Sequence, residues 1–465
     1  MEDLAGRKVT VMGLGRHGGG VAAARWLAEQ GAVVTVTDLR DERALADSVE
    51  ELKSVLIARW QLGGHKQSDF TAADLVVVNP AVRPDNELVA AASTAKVPLT
   101  SEIELFLSRC PAKVIGVTGS NGKSTTSAMI AAILQADGRR TWLGGNIGHS
   151  LLADLPQMAA GDWVVLELSS FQLFWLSSEA RWPHVAVITN CTTNHLDWHG
   201  DMEEYVAAKR RLIEFQPSDG CAVLNTDAPL LADWQNRACG RVVMVDGDQD
   251  VPPLCVPGRH NRRNAACAAS AARAVGCSPE AIRRGLADFG GLPHRLELVA
   301  EVEERRFYND SMATTPESVM AAVDAFGDGA WLLVGGHDKG FDYAPLAARL
   351  ARDARGVACY GAAREKISAL VADQPSRGCE LASFATLEEA FGWCWSQSRA
   401  GEAIVLSPAC ASYDQFRDYR HRGETFAAHV RALVERRGRA RDDGELRAKL
   451  RAHARKTIAS IERIG

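Results

Sequence analysis

A glycine-rich turn followed by Lys-Ser is the stretch of this sequence with the clearest capacity for chemistry. Residues 114–126 read Val-Ile-Gly-Val-Thr-Gly-Ser-Asn-Gly-Lys-Ser-Thr-Thr. The β-branched run predicts a strand before the turn, and the apolar spacing beyond it predicts a helix. Backbone N–H groups in such a turn attract phosphate, Lys123 can reach the terminal phosphates, and Ser124 can bind Mg²⁺. The spacing starts at Gly119, whereas the common phosphate loop would require a glycine at Val117. We therefore predict a triphosphate site, with a strand–turn–helix that binds nothing as the alternative.

A second glycine turn, near the N-terminus, has the spacing of a dinucleotide fingerprint. The predicted strand Lys8–Met12 is followed by Gly13-Leu-Gly15-Arg-His-Gly18, then by a helix and a second strand that ends at Asp38. Glycines at this spacing let the backbone approach a pyrophosphate, and an acid about twenty residues further on can bind a ribose hydroxyl. Three interpretations stay open here: NAD, another diphosphate nucleotide, or a turn that only packs a helix on a strand.

Two polar side chains follow predicted strands beyond the phosphate loop. Glu167 lies at the end of one strand and His195 follows the next. Ligands bind at the carboxyl ends of parallel strands, so Glu167 is a candidate Mg²⁺ ligand, with a helix cap or surface acid as the alternative. His195 and His199 are four residues apart, which raises the question of zinc, but no third soft ligand is evident in the sequence.

Two segments are strongly basic. Lys209 lies beside Arg210 and Arg211 in the predicted helix Met202–Glu214, and composition alone predicts a solvated basic face there. The tail, residues 436–465, holds ten Lys or Arg and four Asp or Glu residues. A mostly solvated terminal helix is the favoured interpretation of the tail, and contact with anionic lipid or RNA is the alternative.

Composition is that of an ordinary globular protein. The 465 residues are 46% hydrophobic and 24% charged, and that length favours about three domains. The net charge of −5 predicts no general affinity for nucleic acid. No stretch resembles a signal peptide or reaches membrane-spanning length. The eleven cysteines form no Cys-x-x-Cys pair, which favours reduced, mostly buried thiols and a cytoplasmic location.

Strands and helices alternate along the chain, which predicts an α/β fold in three domains. Residues 1–101 would form a Rossmann-like domain and residues 102–297 a central parallel sheet of the P-loop ATPase type. Residues 298–465 would form a second Rossmann-like domain with the basic tail.

Eight short motifs lie in the second and third predicted domains. They are Gly119-Ser-Asn-Gly-Lys-Ser-Thr, Gly145-Asn-Ile-Gly, Glu167-Leu-Ser-Ser-Phe-Gln-Leu, Asn194-His-Leu-Asp, Gly258-Arg-His-Asn, Gly291-Leu-Pro-His-Arg, Asn309-Asp-Ser and Ser407-Pro-Ala-Cys-Ala-Ser-Tyr-Asp-Gln-Phe. Together they resemble the Mur ligase family, the ATP-dependent amide-forming enzymes of peptidoglycan synthesis, up to about residue 435. The short spacing of the phosphate loop is itself the family pattern. The third and last motifs are most similar to the branch that adds D-glutamate.

The resemblance implies ATP and two Mg²⁺ ions at the central domain. The residues it places around ATP are Gly119, Ser120, Asn121, Gly122, Lys123, Ser124, Thr125, Asn261, Asn264, Arg295 and Asp310. The metal ligands it implies are Ser124, Glu167, His195 and Lys209, the last as a carbamate. Lys123, Glu167, His195 and Lys209 would be the catalytic residues.

The resemblance also implies the two other substrates. The first domain would bind the UDP end of UDP-N-acetylmuramoyl-L-alanine rather than NAD. The residues implied for this substrate and for the incoming glutamate are Gly15, Asp38, Arg40, Asn146, Thr314, Lys339, Ser412 and Tyr419.

The expected reaction joins glutamate to UDP-N-acetylmuramoyl-L-alanine through an acyl phosphate, and the enzyme is expected to be a monomer. D-Glutamate is favoured, but Met312, Tyr413 and Tyr419 depart from the family pattern around the amino-acid pocket, which leaves L-glutamate open. The alternatives are another Mur-type or folylpolyglutamate-type ligase and, from a different class, a non-catalytic sensor that binds NAD or another nucleotide.

Overall fold

The computed structural model describes residues 3–15, 18–226, 228–247, 251–326, 329–375 and 377–438. The described residues form two compact units, one within residues 3–251 and 263–286 and the other within residues 252–262 and 287–438. All but the first three residues of the predicted basic tail lie outside the described residues. The described residues contain no helix that is both long and apolar enough to cross a membrane.

The first sheet of the first unit is fully parallel, in the order β3-β2-β1-β4-β5. Its central strands are rich in buried valine, as is typical of parallel sheets. Its elements are β1 (Lys8–Met12), α1 (Gly19–Glu29), β2 (Val33–Asp38), α2 (Ala46–Glu51), β3 (Arg59–Leu62), α3 (Gln67–Thr71), β4 (Leu75–Val78), α4 (Glu87–Thr94), β5 (Leu99–Thr100) and α5 (Glu102–Leu107).

The second sheet of the same unit is also fully parallel, in the order β11-β10-β9-β6-β8-β7. One hydrophobic cluster runs through both sheets. The elements of the second sheet are β6 (Lys113–Thr118), α6 (Lys123–Ala136), β7 (Thr141–Gly145), β8 (Trp163–Glu167), α7 (Ser170–Trp175), β9 (Val185–Ile188), α8 (Leu196–His199), α9 (Met202–Glu214), β10 (Cys221–Asn225), α10 (Pro229–Ala232), β11 (Arg241–Val245), α11 (Arg259–Ala274) and α12 (Pro279–Ala287).

The third sheet lies in the second unit, in the order β12-β13-β17-β14-β15-β16. The edge pair β12 and β13 is antiparallel, and the other pairs are parallel. Its elements are β12 (Glu297–Val302), β13 (Arg305–Asn309), α13 (Pro316–Phe326), β14 (Ala330–Gly335), α14 (Ala344–Asp353), β15 (Gly356–Tyr360), α15 (Arg364–Ala372), β16 (Glu380–Phe384), α16 (Leu387–Gln397), β17 (Ala403–Ala409) and α17 (Tyr419–Gly438).

This architecture confirms the predicted α/β class with three sheets. The domain boundaries at 101/102 and 297/298 stay a prediction. In the motif Gly145-Asn-Ile-Gly, Gly145 is the last residue of β7. All eleven cysteines are free, and nine of them are buried.

Candidate active site

The phosphate loop connects β6 to α6. Two of its glycines have a backbone conformation that disfavours other residues, and a Cβ at either would collide with a neighbouring side chain. Gly119 has φ 153° and Gly122 has φ 79°, in the region where residues with a Cβ are strained. A Cβ on Gly119 would lie 2.0 Å from Thr189 Oγ1, and one on Gly122 would lie 2.3 Å from Asn264 Oδ1. The loop therefore fits closely against its neighbours and accepts only glycine at these two positions.

The other residues of the loop are held by hydrogen bonds. Ser120 Oγ lies 2.8 Å from Tyr205 Oη and donates to Thr192 O at 2.8 Å. The Asn121 N–H donates to Asn190 Oδ1 at 2.9 Å. These bonds fix the backbone of the loop before any ligand binds, which is what preorganised phosphate recognition needs.

Two amines converge on the loop. Lys123 opens α6 and its Nζ donates to Gly119 O at 3.2 Å and to Ser120 O at 3.1 Å. Lys209 Nζ donates to the same Gly119 O at 2.8 Å. Ser124 follows Lys123 in the first turn of α6 and is half-buried, and Thr125 is buried. The positive charge at this helix N-terminus suits a phosphate group.

Lys209 is buried, which overturns the solvated face expected from composition. Its side chain is only 1% exposed, and its Nζ lies 4.8 Å from the centre of the Tyr205 ring. Burial, and after it the charge of Lys123, lower the pKa of Lys209 to about 7. The helix α9 turns Lys209 inward because Tyr205, Ala208, Leu212 and Ile213 on the same face are buried.

Glu167 is the last residue of β8, at the carboxyl edge of the second sheet, and only one of its two carboxylate oxygens accepts a hydrogen bond from a described residue. Asn146 Nδ2 donates to Glu167 Oε1 at 2.8 Å. Glu167 Oε2 is buried and has no hydrogen-bond partner among the described residues. A buried carboxylate oxygen without a partner is costly. A hard cation bound there would remove this cost, so the side chain fits the predicted Mg²⁺ role.

His195 belongs to the same cluster. Its backbone is left-handed, with φ 55°, at the residue before α8, and its ring lies 4.8 Å from that of Phe171. Burial, and after it the charges of Lys123 and Lys209, lower the pKa of His195. The four residues predicted to be catalytic thus influence one another around one end of the sheet.

His199 is a poor metal ligand in this arrangement. It is 1% exposed, its Nε2 lies 3.0 Å from Ser170 Oγ, and burial lowers its pKa to about 4. Among the described residues, no three His, Cys, Asp or Glu side chains are grouped so that they could hold a metal. A Mg²⁺ site here would therefore need the hydroxyl of Ser124 and an added oxygen donor.

The first sheet carries a cavity of about 370 Å³ lined by Gly13, Gly15, Asp38, Arg40, His65, Asn79 and Arg83 among others. Asp38 accepts hydrogen bonds from the N–H groups of Leu14 at 3.0 Å and Arg40 at 2.9 Å, and pairs with Arg40 Nη2 at 3.2 Å. Burial alone would raise the pKa of Asp38, but these bonds hold it below its usual value. Gly15, Asp38 and Arg40, predicted to bind one substrate, therefore share one cavity.

Three of the residues predicted to surround ATP, Asn261, Arg295 and Asp310, lie in the second unit. Asp310 is buried, with Oδ2 accepting from Ser407 Oγ at 2.8 Å and Oδ1 from the Leu296 N–H at 3.2 Å. Burial raises the pKa of Asp310 to about 7. Arg295 Nη2 lies 3.6 Å from Met312 Sδ, and Asn261 Nδ2 donates to Pro257 O at 2.6 Å.

The residues predicted to hold glutamate lie on neighbouring loops of the third sheet. Lys339 is exposed after β14, with Nζ 5.1 Å from the centre of the Phe341 ring. Ser412 is buried after β17. The His337 N–H donates to Ala411 O at 2.9 Å and joins these two loops. Thr314 is half-buried after β13, and Tyr419 begins α17.

Three family descriptions match successive parts of the chain. "Mur ligase MurD-like, N-terminal domain" matches residues 7–101, "Mur ligase middle domain" matches residues 117–252, and "Mur ligase, glutamate ligase domain" matches residues 294–410. The chain is 38% identical over 455 residues to the UDP-N-acetylmuramoylalanine--D-glutamate ligase of Geobacter metallireducens, covering 93% of this chain and 98% of that protein.

The chain belongs to the Mur ligase family. It is also 38% identical over 463 residues to the UDP-N-acetylmuramoylalanine--D-glutamate ligase of Trichlorobacter lovleyi, covering 93% of this chain and all of that protein. The solved UDP-N-acetylmuramate-alanine ligase MurC of Thermotoga maritima superposes with a TM-score of 0.56 at 19% identity, covering 92% of this chain and 100% of that chain. At that identity the likeness shows the shared Mur ligase fold alone.

The sequence interpretation missed Arg422, which holds two loops of the second unit together. Arg422 is fully buried and donates to Ser311 Oγ at 3.0 Å, to the carbonyls of Cys410 and Ala411 at 3.1 Å each, and to Ser311 O at 2.8 Å. It therefore ties the loop after β13 to the loop after β17. Arg422 lies near the start of α17, among basic and polar residues, so the sequence around it does not indicate burial.

Proposed function

We propose that this chain is an ATP-dependent ligase of peptidoglycan synthesis that adds D-glutamate to UDP-N-acetylmuramoyl-L-alanine. The observation that carries the proposal is its 38% identity, over nearly its full length, to relatives named for this reaction. The closely packed phosphate loop, with the amines of Lys123 and Lys209 beside it, supports a site for ATP there.

The first step is transfer of the γ-phosphoryl group of ATP to the terminal carboxylate of the UDP substrate. Phosphoryl transfer requires chiefly positioning and neutralisation of charge. Lys123 and the N–H groups of Gly119–Gly122 would bind the phosphates. Asn264, on α11, packs against Gly122. By the family resemblance, Asn261, Arg295 and Asp310 would also bind ATP.

Two Mg²⁺ ions would be held by Ser124, Glu167, His195 and Lys209, and would neutralise phosphate charge when bound. Glu167 Oε2, which is buried and has no hydrogen-bond partner among the described residues, supports this assignment. Lys209 would contribute as a carbamate. Its neutral Nζ attacks the carbon of CO₂, a C–N bond forms, one C=O electron pair moves to oxygen, and Nζ releases a proton to solvent. Burial of Lys209 favours this chemistry, because only a neutral amine is nucleophilic.

The second step is attack by the amine of glutamate on the acyl phosphate, which forms the amide and releases phosphate. Lys339, Ser412 and Thr314 would hold the two carboxylates of glutamate, with Tyr419 beside them. Exclusion of water protects the acyl phosphate from hydrolysis. Gly15, Asp38 and Arg40 would bind the UDP end of the other substrate, and Asn146, which is hydrogen-bonded to Glu167, would lie beside its muramoyl part.

We also propose that the enzyme works as a monomer in the cytoplasm and that its functional domains are residues 1–101, 102–297 and 298–465. The three matched family regions, 7–101, 117–252 and 294–410, support this division.

Replacement of Lys123 by alanine tests the proposed function. We expect phosphate release in the presence of all three substrates to fall at least about 100-fold, the usual cost of one charge-stabilising group. Lys113→Ala is the matched control, because Lys113 is an exposed lysine at the start of β6. Normal turnover by Lys123→Ala would refute the assignment of the phosphate loop.

A further inference from the structure

Tyr343 joins the two loops that carry Lys339 and Ser412. It precedes α14 and is 1% exposed. Its hydroxyl donates to Asp338 Oδ1 at 3.1 Å and lies 3.2 Å from Cys410 Sγ. Asp338 is the neighbour of Lys339, and Cys410 is two residues before Ser412. A single phenol thus bridges the loop after β14 and the loop after β17.

The direction of these hydrogen bonds follows from the protonation states. Burial raises the pKa of the Cys410 thiol to about 11 and also raises the pKa of Tyr343, so both groups keep their protons at neutral pH. The Tyr343 O–H donates to the Asp338 carboxylate, and the Cys410 S–H donates to the Tyr343 oxygen.

Two further groups bind the carboxylate of Asp338. Lys366 Nζ, on α15, lies 2.8 Å from Asp338 Oδ2, and the Gly340 N–H donates to Oδ1 at 2.8 Å. These bonds, with that from Lys366 the largest contribution, hold the pKa of Asp338 below its usual value. The carboxylate therefore fixes the backbone on both sides of Lys339.

We propose that Tyr343 is a positioning residue. It fixes the position of the loop that carries Lys339 relative to the loop that carries Ser412, and so sets the affinity for the two carboxylates of glutamate. The inference rests on the proposed function, in which Lys339 and Ser412 bind glutamate. Lys339 is exposed and makes no ion pair with any described residue. Its placement against a ligand therefore depends on its loop, and a small shift of that loop weakens binding.

The test is Tyr343→Phe, which removes one oxygen and keeps the ring. We expect the KM for D-glutamate to rise about five-fold, close to the value of one hydrogen bond, with the KM values for ATP and the UDP substrate within two-fold of wild type. Amide hydrogen exchange in residues 336–341 should become faster. Tyr308→Phe is the matched control, because Tyr308 is an equally buried tyrosine of the same hydrophobic cluster; it should change neither readout.

Two results would overturn the proposal. One is an unchanged KM for glutamate and unchanged exchange in Tyr343→Phe. The other is an equal rise in all three KM values, which would indicate a general structural role. Failure of the wild-type enzyme to use any amino acid would instead refute the proposed function, and the exchange measurement would still decide whether Tyr343 holds the loop.

Discussion

Gly122 of the phosphate loop and Gly138, beyond the other end of α6, offer a matched pair of substitutions. Both have φ 79°, so alanine at either position costs about 1–2 kcal/mol of backbone strain. A Cβ at Gly138 would meet nothing within 4 Å, whereas one at Gly122 would lie 2.3 Å from Asn264 Oδ1. Gly122→Ala therefore adds the cost of displacing Asn264, about 1–3 kcal/mol for overpacking of this kind.

We expect Gly138→Ala to lose about 1–2 kcal/mol of unfolding free energy and Gly122→Ala about 2–5 kcal/mol, measured by urea unfolding. Only Gly122→Ala should lose activity. A displacement of about 1 Å in the loop predicts a fall in kcat/KM for ATP on the order of 100-fold. Equal stability losses in the two variants, together with wild-type kcat/KM for ATP in both, would refute the argument from contact geometry.

Three further predictions concern other parts of the first unit. Burial raises the folded-state pKa of Glu102 from 4.5 to about 7, so the folded state keeps a proton that the unfolded state loses, and wild-type stability falls as the pH rises from 4.5 to 7. Relative to wild type, Glu102→Gln should therefore gain at most about 3 kcal/mol of unfolding free energy between pH 4.5 and 8. A difference between the two proteins in urea unfolding that does not change with pH would contradict this. Incubation with ¹³C-labelled bicarbonate should give a protein-bound carbamate signal by NMR that Lys209→Gln lacks, and a fully active wild type without that signal would exclude the carbamate. UDP should raise the melting temperature more than NAD does, and Arg40→Ala should abolish the UDP effect; a larger shift with NAD would favour the dinucleotide interpretation.

The sequence predicted the central strands and helices well and the sheet edges poorly. The strand Lys8–Met12 and the helix Met202–Glu214 have the predicted bounds. The apolar run of a buried parallel strand makes it recognisable in the sequence. The predicted elements omitted four strands, β3, β7, β11 and β16. Each of these lies at the edge of its sheet, and most residues of each strand are exposed or half-buried, so each lacks the fully buried apolar run of a central strand.

The candidate site was predictable where a local motif carries the chemistry. The spacing of Gly119, Gly122 and Lys123 is such a motif. The burial of Lys209 and Arg422 was not predictable from composition, because both lie in basic helical segments whose inward face is set by tertiary packing. Family resemblance assigned a role to Lys209, but only the structure shows how its amine reaches Gly119 O.

The central claim is tested most directly by phosphate release from ATP with UDP-N-acetylmuramoyl-L-alanine, offering D-glutamate, L-glutamate and other amino acids in parallel. We predict rapid release only when D-glutamate and the UDP substrate are both present, with formation of one amide per phosphate. Release that depends on L-glutamate, or no release with any amino acid, would contradict the proposed reaction.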